Sequence, residues 1–135
     1  MNPRERQRCV YASEDAALAG AGRVFRHLGE VRCYLEELVA SDWWADRWPH
    51  IEVIPVDRTR SGRFSGYAVE GDGAIRLAIL REAVVLHEVA HVVTPGAGHD
   101  QRFVDALLAL VRERLGFHAY GALLTELRHR HVVGR

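Results

Sequence analysis

VVLHEVAHVVTPGAGHDQRF, residues 84–103, decides how the rest of the chain is to be read. Its first ten residues are apolar except for His87, Glu88 and His91, the composition of a helix buried on more than one side. On a helix, positions four apart share a face, so His87 and His91 point the same way and can approach one metal ion. Glu88 is turned by about 100° around the axis and is directed at a water on such an ion rather than at the ion itself. Thr94-Pro95-Gly96-Ala97-Gly98 must then end the helix and turn the chain, and His99 follows just before the next apolar-periodic run. Catalytic zinc sites usually have three protein ligands, and a helix, a tight turn and a returning helix can bring His99 under the first pair. Asp100 is placed to cap the returning helix. Burying two imidazoles and a carboxylate together without a metal would be costly, which argues against a purely structural reading of the stretch.

Upstream of it the hydrophobic period is that of strands. Residues 51–56 (IEVIPV), 63–70 (RFSGYAVE) and 74–80 (AIRLAIL) are alternating or β-branched, and Gly71-Asp72-Gly73 joins the last two as a hairpin. Before them, from Gly29 onward, Val31, Tyr34, Leu35, Leu38 and Val39 recur at helical spacing. Trp43, Trp44 and Trp48 then wedge the end of that helix onto a core. At the N-terminus, residues 8–12 (RCVYA) suggest a short edge strand and residues 13–21 a helical turn capped by Ser13. Helices are expected at 81–94, 100–115 and 118–131. The second of these is lined by Phe103, Ala106, Leu107, Leu110 and Val111 and stopped by Gly116, and the third is lined by Tyr120, Leu123, Leu124 and Leu127. This order predicts an α+β fold with a three- to four-stranded antiparallel or mixed sheet packed by helices.

The chain has 135 residues, the size of a single domain spanning 1–135. Its 18 basic residues balance 18 acidic ones, so no general attraction to nucleic acid or to an anionic membrane follows. No apolar window reaches the length of a membrane span and none behaves as a signal peptide, which predicts a cytoplasmic protein. Cys9 and Cys33 lack the close spacing of a zinc-binding pair and are expected to be buried free thiols. His27, His50, His129 and His131 show no ligand spacing, the last two belonging to a solvated tail.

The residues LHEVAHVVTP, the Gly98-His99 pair and Phe103 make the chain resemble the zincin metallopeptidases, and within them the SprT-like proteins and small metallohydrolases of high-GC bacteria. SprT-like chains typically carry His-Gly-Pro-x-Phe around the third ligand, where this chain has His-Asp-Gln-Arg-Phe. His99 and Phe103 match, while Asp100, Gln101 and Arg102 depart. The specific match covers about twenty residues, with a looser likeness in the order of elements and in VYASED near the start. The resemblance implies a zincin-like fold built around the HExxH helix. It also implies a Zn2+ ion held by His87, His91 and His99, with Glu88 as general base for hydrolysis of a peptide bond. A protein or peptide substrate would pair with an edge strand, for which AIRLAIL or RFSGYAV is the candidate.

Related patterns fit less well. A metzincin would have glycine at position 94 and its third histidine at 97, where this chain has Thr94 and Ala97. Glu113 is a candidate for the later-helix glutamate of thermolysin-like zincins, but His99 is the simpler third ligand. The cysteine-rich ribbon that often follows a SprT-like domain is missing, so nucleic acid is not expected as a ligand without a partner protein. Tyr67, Arg102, His118 and Tyr120 are the candidates for stabilising an oxyanion. The competing expectation is a non-catalytic module in which zinc holds helices together and the surface binds a protein. Glu88 favours the enzyme, because a structural site has no use for that base.

Overall fold

The computed structural model describes residues 1–60, 65–69 and 71–134. Along them run α1 (Pro3–Leu18), α2 (Leu28–Ala40), α3 (Asp42–Ala45), β1 (Val56–Arg58), β2 (Gly66–Val69), β3 (Ala74–Leu77), α4 (Glu82–Val93), α5 (Gln101–Arg114) and α6 (Phe117–His129). The α+β class with a small mixed sheet is as the sequence predicts. The elements are divided between two compact units, Arg23–Pro95 and the pair of segments Met1–Gly22 and Gly96–Arg135. Among the described residues no helix is long and apolar enough to cross a membrane.

In the unit Arg23–Pro95 the strand order is β1-β3-β2, with β1 parallel and β2 antiparallel to β3. Ile75 and Leu77 of β3 are buried and Arg76 between them is exposed, the alternation expected of a sheet with one covered face. Helix α4 packs against β2 and β3. Gly71-Asp72-Gly73 closes the β2–β3 hairpin as expected. Two strand expectations need correction. Only Val56 of residues 51–56 is in a strand, because Pro55 lacks an N–H and contributes only its carbonyl, which accepts from the Ile75 N–H at 2.9 Å. Nor is AIRLAIL an edge: β3 is flanked on both sides, leaving β1 and β2 outermost. Arg63, Phe64 and Glu70 of the expected second strand lie outside the described residues.

Helix α2 buries Val31, Tyr34, Leu35 and Leu38, close to its predicted face, with Val39 half-buried. Trp44 is buried at the following turn, edge-on to Trp48 with 4.8 Å between centroids, and its indole N–H donates to the Ile51 carbonyl at 2.9 Å. The entry to α4 is held differently from the usual side-chain cap. The N-cap residue Arg81 makes no capping bond, but its backbone pairs with Val24 in an isolated antiparallel bridge. The buried Glu82 carboxylate accepts from the Tyr34 hydroxyl at 2.6 Å and from the Arg23 N–H at 2.9 Å. Charge-assisted bonds of this kind are worth about 1.5–3 kcal/mol each, and removing the acceptor strands both donors. Glu82→Ala should therefore destabilise the protein by about 3 kcal/mol in urea titration, whereas an exposed Glu52→Ala should change it by less than about 0.5 kcal/mol.

In the other unit, α6 packs against both α1 and α5. The expected edge strand at 8–12 is instead the middle of α1, and Ser13 is an interior residue. Ser13 is fully buried and its hydroxyl donates to the Cys9 carbonyl at 2.7 Å. The cap is Asn2, whose side-chain oxygen accepts from the Glu5 N–H at 2.8 Å, with Pro3 in the first turn. Few apolar residues mark α1, so packing on α6 decides it rather than local β propensity. The cysteines are free, but Cys9 is only half-buried and Cys33 is exposed, because α2 turns Cys33 away from the Tyr34–Leu35 side. Helix α5 buries the five expected residues together with Val104 and Leu108, and Gly116 separates it from α6. On α6, Leu123 and Leu127 are buried as expected, while Tyr120 and Leu124 are half-buried. Beyond α6, His131 adopts a left-handed φ of 61°, and the Val132 N–H returns to the Leu127 carbonyl at 2.8 Å, a Schellman turn that buries Val132.

Candidate metal centre

Helix α4 runs on through six successive buried residues, Val85 to Ala90, so its polar members are removed from water along with its apolar ones. His87 is 3% exposed and Glu88 4%. His91, one turn beyond His87, is half-buried, and the two imidazoles stand with centroids 5.0 Å apart and planes at 68°. The side chain of Glu88 is approached from β2. A Cβ added to the buried Gly66 would lie 2.9 Å from the Arg76 carbonyl oxygen and 3.0 Å from the Leu77 side chain, so only glycine fits against β3 here, while the Glu88 Cγ at 3.4 Å would be in ordinary contact.

The helix stops where the sequence predicts. The Thr94 hydroxyl turns back to the Ala90 carbonyl at 2.6 Å, and Pro95 follows. Gly96 and Gly98 take left-handed conformations, with φ of 77° and 59°. Ala97 between them is buried, and its carbonyl accepts from the Asp100 N–H at 3.1 Å. Asp100 caps α5, its carboxylate accepting from the Arg102 and Phe103 N–H groups at 2.9 and 3.3 Å. Desolvation pushes the Asp100 carboxyl up, but the Arg102 side chain, the two N–H groups and the Arg102 charge outweigh it and hold the group below its ordinary value. The three residues that depart from the SprT-like pattern thus have local work: Asp100 caps, Arg102 binds it at 3.1 Å, and Gln101 donates to Asp105 at 2.7 Å.

His99 is half-buried and stands edge-on to two rings, Phe103 at 4.8 Å and Tyr11 at 5.6 Å between centroids. Its carbonyl accepts a hydrogen bond from the Arg6 Nε. One ligand-capable nitrogen from each of His87, His91 and His99 lies within 4.8 Å of the others, a group able to hold a metal ion. Three neutral imidazoles suit a borderline-soft divalent cation such as zinc better than calcium or magnesium.

The remaining candidates are elsewhere or otherwise engaged. Tyr67 follows Gly66 in β2, so its side chain leaves the opposite face of the strand, and it is 39% exposed. Arg102 is bound to Asp100, and His118 is exposed at the start of α6. Tyr120 packs under the Arg112 guanidinium at 5.4 Å. Glu113 is exposed near the end of α5 and does not join the histidine group. His27, His50, His129 and His131 are exposed. A cavity of about 410 Å³ between α2 and residues 49–56 contains none of the histidines. Two contributors escaped the sequence reading. Arg6 lies 93 residues from His99, and Gly66 sits in a strand whose partner helix no local pattern names.

No family model, curated protein or solved structure matches this chain.

Proposed function

We propose that the protein is a zinc-dependent hydrolase of the zincin type, cleaving peptide bonds. The observation that carries this reading is the gathering of the His87, His91 and His99 nitrogens within 4.8 Å, with the buried Glu88 carboxylate borne next to His87 on the same helix. The motif likeness to SprT-like chains points the same way, on the residues of α4, the turn and Phe103 alone. His87, His91 and His99 would hold the ion. When bound, zinc supplies Lewis acidity, bringing the pKa of a water towards neutrality and polarising a scissile carbonyl.

What the chain itself does in such a reaction falls mainly to Glu88. Its carboxylate accepts the proton that the attacking water loses and hands it to the amine that leaves, one group serving as base and then acid. Burial of the carboxylate keeps bulk water from competing for that proton. Gly66 of β2 lies beside the Glu88 stem. Among the described residues β2 is an edge strand of the sheet, and an extended peptide can lie along its outer side. A protein or peptide substrate is therefore the partner proposed, in a cytoplasmic setting.

Metal content and casein cleavage test the reading together. The purified protein is expected to contain one zinc per chain and to cleave casein. Stripping the metal with a chelator should abolish cleavage and zinc should restore it. Zinc bound without cleavage of any unfolded protein would favour the non-catalytic interaction module instead.

A further inference from the structure

We infer that Arg6 of α1 is a positioning residue for the third ligand, setting metal affinity through the backbone of His99. This rests on the proposed metal site, but on a part of it that no motif includes. The Arg6 guanidinium joins two carbonyls that are remote from it in sequence: Nε donates to His99, and Nη1 donates to Val132 at 3.1 Å. The second carbonyl is itself held, because it follows the Schellman turn in which His131 takes the left-handed conformation. One rigid fork thus ties the start of α1, the turn that follows α6 and the ligand-bearing turn to each other.

Stability is a poor explanation for placing a guanidinium there. Both acceptors are neutral carbonyls, and among the described residues Arg6 has no carboxylate partner. Its Nη2 is buried without a hydrogen-bond partner, an unfavourable state for a charged group. What the arrangement does accomplish is local to His99. The ligand follows Gly96 and Gly98, both with left-handed backbone and of the residue type that loses most conformational freedom on ordering. Fixing the His99 carbonyl fixes the plane of the peptide next to its Cα, and with it the direction in which the imidazole leaves the backbone. Tyr11, also on α1, and Phe103 then hold the ring edge-on from two sides. Outer-shell partners of metal ligands act in this way, by ordering the ligand before the metal arrives.

The test compares zinc affinity, by competition with a chelating dye, in the wild type, Arg6→Gln and Leu110→Val. The last removes one buried methylene from α5, in the same unit, and touches stability without touching His99. Arg6→Gln is expected to bind zinc 10–100-fold more weakly, and its cobalt-substituted form to lose visible absorption intensity as one imidazole becomes loosely held, while Leu110→Val binds as the wild type does. Should Arg6→Gln not fold, Arg6→Lys replaces it: a single ammonium cannot reach both carbonyls, and at least a fivefold loss is expected. Wild-type affinity in the Arg6 variants would overturn the positioning role and leave the metal site standing. Equal losses in Arg6→Gln and Leu110→Val would overturn it as well, assigning the effect to general stability. A wild type that takes up no zinc would remove the metal site and the inference together.

Discussion

Glu88→Gln should lower kcat for casein cleavage by about 10²–10⁴-fold while the protein still carries its zinc. The substitution keeps the volume of the side chain and its place between α4 and β2, so neither folding nor metal uptake has a reason to change. What it removes is the ability to accept a proton, and the loss corresponds to about 3–5 kcal/mol of transition-state stabilisation. The measurement is steady-state cleavage beside metal analysis of the same preparation. If the variant and the wild type cleave at equal rates, Glu88 is not the base. If both are inert with zinc bound, the histidines serve a structural site.

The second large effect belongs to His99. Of the three imidazoles it alone is outside α4, presented by a turn, and the His87–His91 pair is spaced to remain in place without it. Two imidazoles and water make a much weaker site than three, so His99→Ala should reduce zinc affinity by more than the 10–100-fold that outer-shell changes cost. Isothermal titration or dye competition reads this directly. Unchanged affinity would assign the third ligand to another group. The apoprotein should unfold at a temperature close to that of the wild type, since a half-buried ring is lost rather than a core one.

The candidate site was legible to the extent that it is local. The helical pair at His87 and His91, the break at Thr94 to Gly98 and the cap at Asp100 all follow from short-range rules of spacing, glycine conformation and capping, and each occupies its expected element. Elements decided by distant partners were read less well. Helix α1 has only Val10, Ser13 and Leu18 fully buried, too sparse a stripe to outweigh the β-like look of RCVYA before α6 is known to lie beside it. Residues 51–56 alternate as a strand should, yet only Val56 of them belongs to β1, and which strand lies central in the sheet is a matter of pairing order that hydrophobic alternation does not encode. Arg6 belongs to the same class. Its neighbours in sequence are polar and exposed or half-buried, and its significance comes entirely from carbonyls 93 and 126 residues away.

The two glycines before His99 differ from Gly66 in what they demand. Around Gly66 there is no space, whereas a Cβ built on Gly96 or Gly98 meets no atom within 4 Å. Bulk is therefore acceptable at those two positions, and only handedness is restricted: an L-residue there is strained by about 1 kcal/mol or more, while a D-residue adopts the same backbone without strain. The connection between the second and third imidazoles works as a chiral spacer, its length counted in residues and its curl set by stereochemistry, so mirror-image amino acids would be accommodated with less strain than their natural counterparts.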